Sequence, residues 1–136
     1  MIVVDTNVIA YLFLGGEKTP QARAALRKDP EWAAPLLWRS EFRNVLASYL
    51  SRGHLQLSDA LELATEAESL LAGREYLVPA GSVLRLVGAS SCSAYDCEFV
   101  ALAQELGVPL VTSDRQLLEC FSATAVGVDA FLAGRP

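Results

Sequence analysis

Four acidic side chains stand where a divalent cation could be gripped. Asp5 ends the β-branched run Ile2-Val3-Val4, and Asp114 lies two residues beyond the similar run Leu110-Val111-Thr112. Asp96 opens a segment in which Phe99, Val100, Ala103 and Leu106 recur at helical spacing, so its carboxylate falls on the apolar side of a helix. Glu41 borders the apolar stripe Trp38, Phe42, Val45, Leu46, Tyr49 and Leu50 of another helix. Carboxylate oxygens are hard ligands suited to Mg2+ or Mn2+. Such ions activate water and stabilise the charge that develops when a phosphodiester is displaced in line. Each acid also has an ordinary explanation. Asp5 and Asp114 precede helical patterns and can cap them, Ser93-Ala94-Tyr95-Asp96 fits a capping box, and Glu41 can be a surface glutamate paired with Arg or Lys.

Other reactive sets are thin. The single histidine, His54, sits in the turn-like stretch Ser51-Arg52-Gly53-His54, and no serine occupies a G-x-S-x-G elbow. Cys92, Cys97 and Cys120 are odd in number and contain no C-x-x-C pair, which speaks against a disulfide framework or a zinc site and for small packed thiols. No G-x-x-x-x-G-K-[ST] phosphate loop occurs. Acid-rich α/β folds that pass a phosphoryl group through an Asp nucleophile usually also place a lysine near the phosphate. Here the only lysines, Lys18 and Lys28, lie far upstream of the later strand ends.

The elements that must position the acids read as strands alternating with helices. Strands are expected at Ile2–Val4, Trp32–Ala34, Tyr76–Val78, Leu110–Thr112 and, weakly, Ala123–Val126. Helical patterns cover Thr6–Leu14, Pro20–Lys28, Leu36–Arg52, Ser58–Ala72, Val83–Gly88, Ala94–Leu106 and Asp129–Leu132. This alternation implies a three-layer α/β/α sandwich around a central, mostly parallel sheet of four to five strands. Ligands of such sheets bind beyond the carboxyl ends of the strands, which is where Asp5 and Asp114 fall. The helix Thr6–Leu14 is apolar all round from Val8 to Leu14, so it is either covered by the helix that follows or offers an interface.

With 136 residues and 52% hydrophobic content the chain is expected to form one domain, residues 1–136, with a full core. The strand-like run begins beside Met1 and no stretch reaches a membrane span's roughly 18 apolar residues, so a soluble, cytoplasmic protein is expected. A net charge of −5 is unhelpful to a nucleic-acid binder. Neutralising all four acids would raise it by four, from −5 to −1.

The stretches VVDTN, WRSEFRNVL and SAYDCEFVALAQELGVPLVTSD resemble the PIN domain, and specifically the VapC-like toxins of toxin–antitoxin pairs. The resemblance spans essentially the whole chain, and its acidic positions fall on Asp5, Glu41, Asp96 and Asp114. It implies Mg2+ or Mn2+ dependence, cleavage of single-stranded or looped RNA, a cognate antitoxin seated in a groove, and homodimerisation. It also maps a polar site residue to Thr112 or Ser113 and an asparagine to Asn7. In the roles expected, Asp5 and Asp96 bind metal directly, while Glu41 and Asp114 complete the shell directly or through water. Arg43 and Arg115, near the acids in sequence, are expected to hold backbone phosphate. Two other readings are a catalytically silent protein-interaction module of the same fold and a Mg2+-dependent phosphohydrolase acting on small esters.

Overall fold

The computed structural model describes residues 1–134. Its elements run β1 (Ile2–Val4), α1 (Thr6–Leu14), α2 (Thr19–Lys28), β2 (Trp32–Pro35), α3 (Leu37–Ser51), α4 (Leu57–Leu71), β3 (Glu75–Tyr76), α5 (Ala80–Gly88), α6 (Ala94–Leu106), β4 (Leu110–Thr112), α7 (Arg115–Cys120), β5 (Ala125–Gly127) and α8 (Val128–Leu132). The five strands form one sheet in the order β3-β2-β1-β4-β5. Every pairing is parallel, with Val3 opposite both Ala33 and Leu110.

Short strands that are mostly apolar suit a sheet covered on both faces. Ile2, Val3, Val4, Leu110 and Val111 are buried to 2% exposure or less. Right-handed crossovers place the helices on opposite faces according to the direction of travel across the sheet. The leftward connections from β1 to β2 and from β2 to β3 carry α1 to α4, and α8 joins them by packing on α2 and β4. The rightward connections carry α5, α6 and α7, with α6 lying against β1, β2 and β4. The direction reverses between β1 and β4, and the crevice opened at such a reversal is where α/β sheets bind ligands.

The sheet is all parallel and has five strands, within the expected class. Several boundaries differ from expectation, for local reasons. β3 was expected at Tyr76–Val78 but spans Glu75–Tyr76, because Leu36 N–H bonds the Tyr76 carbonyl and the chain then turns away, leaving Leu77 85% exposed. β5 starts at Ala125, since Thr124 and Ala125 N–H groups both close a turn onto the Phe121 carbonyl. α5 starts at Ala80, directly after Pro79, not at Val83. Helix α7 spans Arg115–Cys120 and gives Asp114 the helix start that it was read as able to cap; its six residues are too few for periodicity alone to delimit it. α6 ends as its sequence dictates: Gly107 adopts φ 67° in the left-handed region, where a side chain would be strained.

The apolar helix α1 has its explanation within the fold. Val8, Ile9 and Ala10 are buried, and α1 packs against α2, α3 and α4, leaving Tyr11 to Leu14 only half-exposed. The exposed leucines lie elsewhere: Leu36 between β2 and α3, Leu57 and Leu61 one turn apart on α4, Leu77 after β3, and Leu84 on α5. Among the described residues no helix is long and apolar enough to cross a membrane.

Candidate active site

The carboxyl ends of β1 and β4 open into a cavity of 250 Å3, and all four acids line it. Asp5 enters from the end of β1, Asp114 from just beyond β4, Glu41 from the second turn of α3 and Asp96 from the first turn of α6. Thr6, Asn7, Asn44 and Phe99 complete much of the wall. No Lys or Arg lines the cavity, and among the described residues none forms an ion pair with any of the four acids.

Two of the acids, Asp5 and Asp114, cap helices and line the cavity at once. Asp5 Oδ1 accepts from Val8 N–H at 3.0 Å, capping α1, while Oδ2 accepts from the Thr112 hydroxyl. Thr112 in turn accepts from Asp114 N–H at 3.0 Å, and Asp114 Oδ1 accepts from Leu117 N–H at 3.0 Å, capping α7. Glu41 Oε1 accepts from the Thr6 hydroxyl at 2.7 Å. Ser93, not Asp96, caps α6: its hydroxyl accepts from Asp96 N–H at 3.1 Å. One fully buried threonine therefore holds both strand-end acids in register across β1 and β4.

Crowding of like charges shows in the protonation equilibria. Burial pushes the Asp5 carboxyl up to about 6 against the pull of Thr112 and Val8, with repulsion from Asp114 and Glu41 adding to the rise. Glu41 is raised by burial and by Asp96 and Glu98, and Asp96 by burial and by Asp114. A buried carboxylate among carboxylates, with no cationic side chain beside it, is costly unless a cation arrives.

The donor set fits a hard divalent ion in its chemistry. The oxygens of an ionised carboxylate offer about four lone-pair sites. Asp5 commits one on each oxygen to Val8 and Thr112, so each oxygen keeps a lone pair facing outward. The acids stand around the wall rather than at one point: among the described residues no three His, Cys, Asp or Glu side chains meet closely enough to make a finished cage.

Without metal, this arrangement makes stability depend on pH. The unfolded Asp5 carboxyl titrates near about 3.9 and the folded one near about 6, so the folded state binds the proton more tightly. The stabilisation is complete below the unfolded value and is lost as pH rises through the folded one, amounting to about 3 kcal/mol by pH 7. Thermal melts in EDTA from pH 4 to 7.5 should therefore fall more steeply for the wild type than for Asp5→Asn. Parallel profiles would refute the burial argument.

The other expected site residues divide. Asn7 lines the acidic cavity, and Thr112 serves it through Asp5. Ser113 faces a different cavity, beyond β4 and β5, where its hydroxyl lies 3.1 Å from Tyr11 OH. Arg43 is not brought to the acids: it is well exposed and its guanidinium lies 4.0 Å from Glu68. Arg115 is exposed and outside the cavity wall. Lys18, far upstream in sequence, nevertheless comes near the end of β4: its Nζ lies 3.4 Å from Tyr11 OH, which lies 3.1 Å from Ser113 Oγ. Sequence separation hid this, since Lys18 follows α1 and folds back over its own Tyr11. Two participants were not read as site residues: Thr6 positions Glu41 and Glu98 adds to its repulsion. Asn44, which helical spacing puts on the same flank as Glu41, shares its wall.

Comparison with known proteins agrees with this geometry. Residues 2–122 match the PIN domain family model. The chain is 33% identical over 125 residues to Ribonuclease VapC3 of Pyrobaculum aerophilum, covering 90% of this chain and 95% of that protein. Among solved structures, PAE2754 from Pyrobaculum aerophilum superposes with a TM-score of 0.77 at 22% identity, covering 98% of this chain and 94% of that one. FitAcB from Neisseria gonorrhoeae gives 0.75 at 18%, covering 94% and 98%. A toxin–antitoxin complex from Klebsiella pneumoniae gives 0.70 at 18%, again covering 94% and 98%.

Proposed function

The chain belongs to the PIN domain family, and from that premise we propose that it is a Mg2+- or Mn2+-dependent endoribonuclease, the toxin of a toxin–antitoxin pair. The observation that carries the reading is the cavity itself: four carboxylates line it at the sheet's carboxyl edge with no cationic side chain among them. The relative bearing the name ribonuclease supports the choice of RNA over small phosphate esters.

In this reading Asp5 and Asp96 hold the ion directly, and Glu41 and Asp114 complete its surroundings. Bound there, Mg2+ or Mn2+ would supply the positive charge that polarises water and the phosphodiester. The chain's own groups do the rest. Thr112 fixes the Asp5 carboxylate and, through Asp114 N–H, the start of α7. Thr6 holds Glu41 at the rim, and Asn7 and Asn44 offer amide donors to a sugar or phosphate oxygen. Glu41, in the cavity wall and not assigned as a direct ligand, is placed to take the proton from attacking water.

A protein partner that restrains the enzyme, a homodimer and a cytoplasmic site of action belong to the same proposal. The exposed Leu57 and Leu61 on α4, with Leu84 on α5, are candidate contacts. The decisive experiment incubates purified protein with total RNA in Mg2+ and in EDTA, beside Asp96→Asn. Discrete fragments are expected with Mg2+ alone, and Asp96→Asn should cut at least about 100-fold more slowly while melting cooperatively. A fully active Asp96→Asn chain, or cleavage that survives EDTA, would sink the assignment. Expression of the wild type alone should also arrest growth of its host, and the same substitution should relieve it.

A further inference from the structure

A second cavity, of 280 Å3, opens beyond the carboxyl ends of β4 and β5, between α1, α2 and α8. It adjoins the acidic one through bonded and sequential neighbours. Thr112 lines it while its hydroxyl holds Asp5, and Ser113 lines it immediately before Asp114. Its polar side is a relay of donors: Lys18 Nζ lies 3.4 Å from Tyr11 OH, which lies 3.1 Å from Ser113 Oγ. The Lys18 ammonium also sits 5.0 Å from the centre of the Tyr11 ring. The remainder is mainly apolar, with Ala22, Leu118, Val128 and Ala130. The cavity thus pairs a cation and two hydroxyls with an aromatic edge and a flat apolar wall.

That combination has a use beside the acids. A chain of net charge −5 that presents four carboxylates to a phosphodiester strand needs positive charge nearby to hold the flanking phosphates. Neither Arg43 nor Arg115 reaches the cleft. Lys18 lines the adjoining cavity, one strand position along the same sheet edge. Unpaired bases are taken up by aromatic and apolar surfaces with hydrogen-bonding groups at their edges. The one carboxylate on this wall, Asp129, offers an acceptor suited to a base amino group.

We propose that this cavity is a nucleotide subsite, which receives the ribonucleotide next to the scissile bond. Its phosphate is held by Lys18 with the Tyr11 and Ser113 hydroxyls, and its base lies against the wall formed by Ala22, Leu118 and Val128. The inference rests on the nuclease reading, and its test separates the two.

The wild-type chain, in EDTA, is titrated with AMP, GMP, CMP, UMP and, separately, inorganic phosphate, followed by amide chemical shifts. Saturable shifts are expected at Tyr11, Ser113, Val128 and Ala130, weaker with phosphate alone. Lys18→Ala should weaken nucleotide binding on the order of tenfold. In RNA cleavage, Lys18→Ala and Tyr11→Phe should lose kcat/KM mainly through KM. Shifts confined to the acidic cavity, phosphate binding as tightly as every nucleotide, or an unchanged KM in Lys18→Ala would overturn the subsite. RNA cleavage with no nucleotide binding here removes the subsite alone. Nucleotide binding here by a chain that cuts no RNA in Mg2+ removes the nuclease reading and the subsite's role with it.

Discussion

Replacing Asp5 by Asn is expected to abolish RNA cleavage and, at neutral pH in EDTA, to raise the melting temperature. The two effects have one cause. Asp5 is 7% exposed, faces other carboxylates and is pushed up to about 6, so keeping it ionised at pH 7 costs the fold up to about 3 kcal/mol. Asparagine removes the charge and keeps the shape. Its carbonyl can still accept from Val8 N–H, but its amide must donate toward Thr112, whose hydroxyl then loses its present acceptor. The net gain should be about 1–2 kcal/mol, or several degrees in a domain of this size. Cleavage should fall on the order of 10³-fold or more, because a group shared by binding and chemistry is lost. Added Mg2+ should raise the wild-type melting temperature, by about 2.7 kcal/mol of stabilisation at a hundred times Kd, and move the variant far less. A variant that is both inactive and less stable would show that Asp5 is a structural residue first.

The second large effect lies at the edge strand β3. Glu75 on β3 accepts from Trp38 Nε1 at 2.7 Å and from Arg39 Nε at 2.6 Å through one oxygen, and from Arg39 Nη2 at 2.7 Å through the other. The Arg39 guanidinium holds the Glu75 carboxyl below the usual range. Glu75→Ala should destabilise the fold by about 2–4 kcal/mol. Most of this arises from leaving the indole N–H of Trp38, a residue 1% exposed, without a partner. The ion pair adds less, because the Arg39 side chain is 34% exposed and solvent screens it. Glu75→Gln, which can still accept from Trp38, should cost about half as much. Since a depressed carboxyl contributes above its unfolded value, the wild type should lose this advantage over Glu75→Gln as pH falls below about 4. Urea denaturation of the three chains at pH 7 and pH 3.5 tests both statements; equal midpoints for Ala and Gln would refute the indole argument. Trp38 also packs on Phe42, with ring centroids 5.9 Å apart, and Phe42 follows Glu41 directly. Loosening this edge is therefore felt at the acidic cavity.

Much of this was legible in the residues. Ile2–Val4 and Leu110–Thr112 could be read as strands because an unbroken β-branched run has few other homes, and Asp96 could be placed inward because Phe99, Val100 and Ala103 fixed its helical face. The dichotomy between capping and chemistry was misleading, since a carboxylate has lone pairs enough to serve a backbone N–H and still face a cavity, as Asp5 and Asp114 do. Arg43 and Arg115 were chosen by proximity along the chain. On a helix, however, an acid and its second neighbour face different ways, and Arg43 accordingly lies toward Glu68. The Lys18–Tyr11–Ser113 relay was beyond reach because it joins residues 102 positions apart through a hydroxyl pair, which leaves no periodic trace.

The bond between Thr112 and Asp5 spans 107 positions, and this sets an order of events during synthesis. Until β4 has formed, the side of β1 that it will occupy is open and Asp5 has no Thr112 hydroxyl to meet. Contacts so distant in sequence are made late. The four acids therefore come together only after nearly the whole chain has emerged.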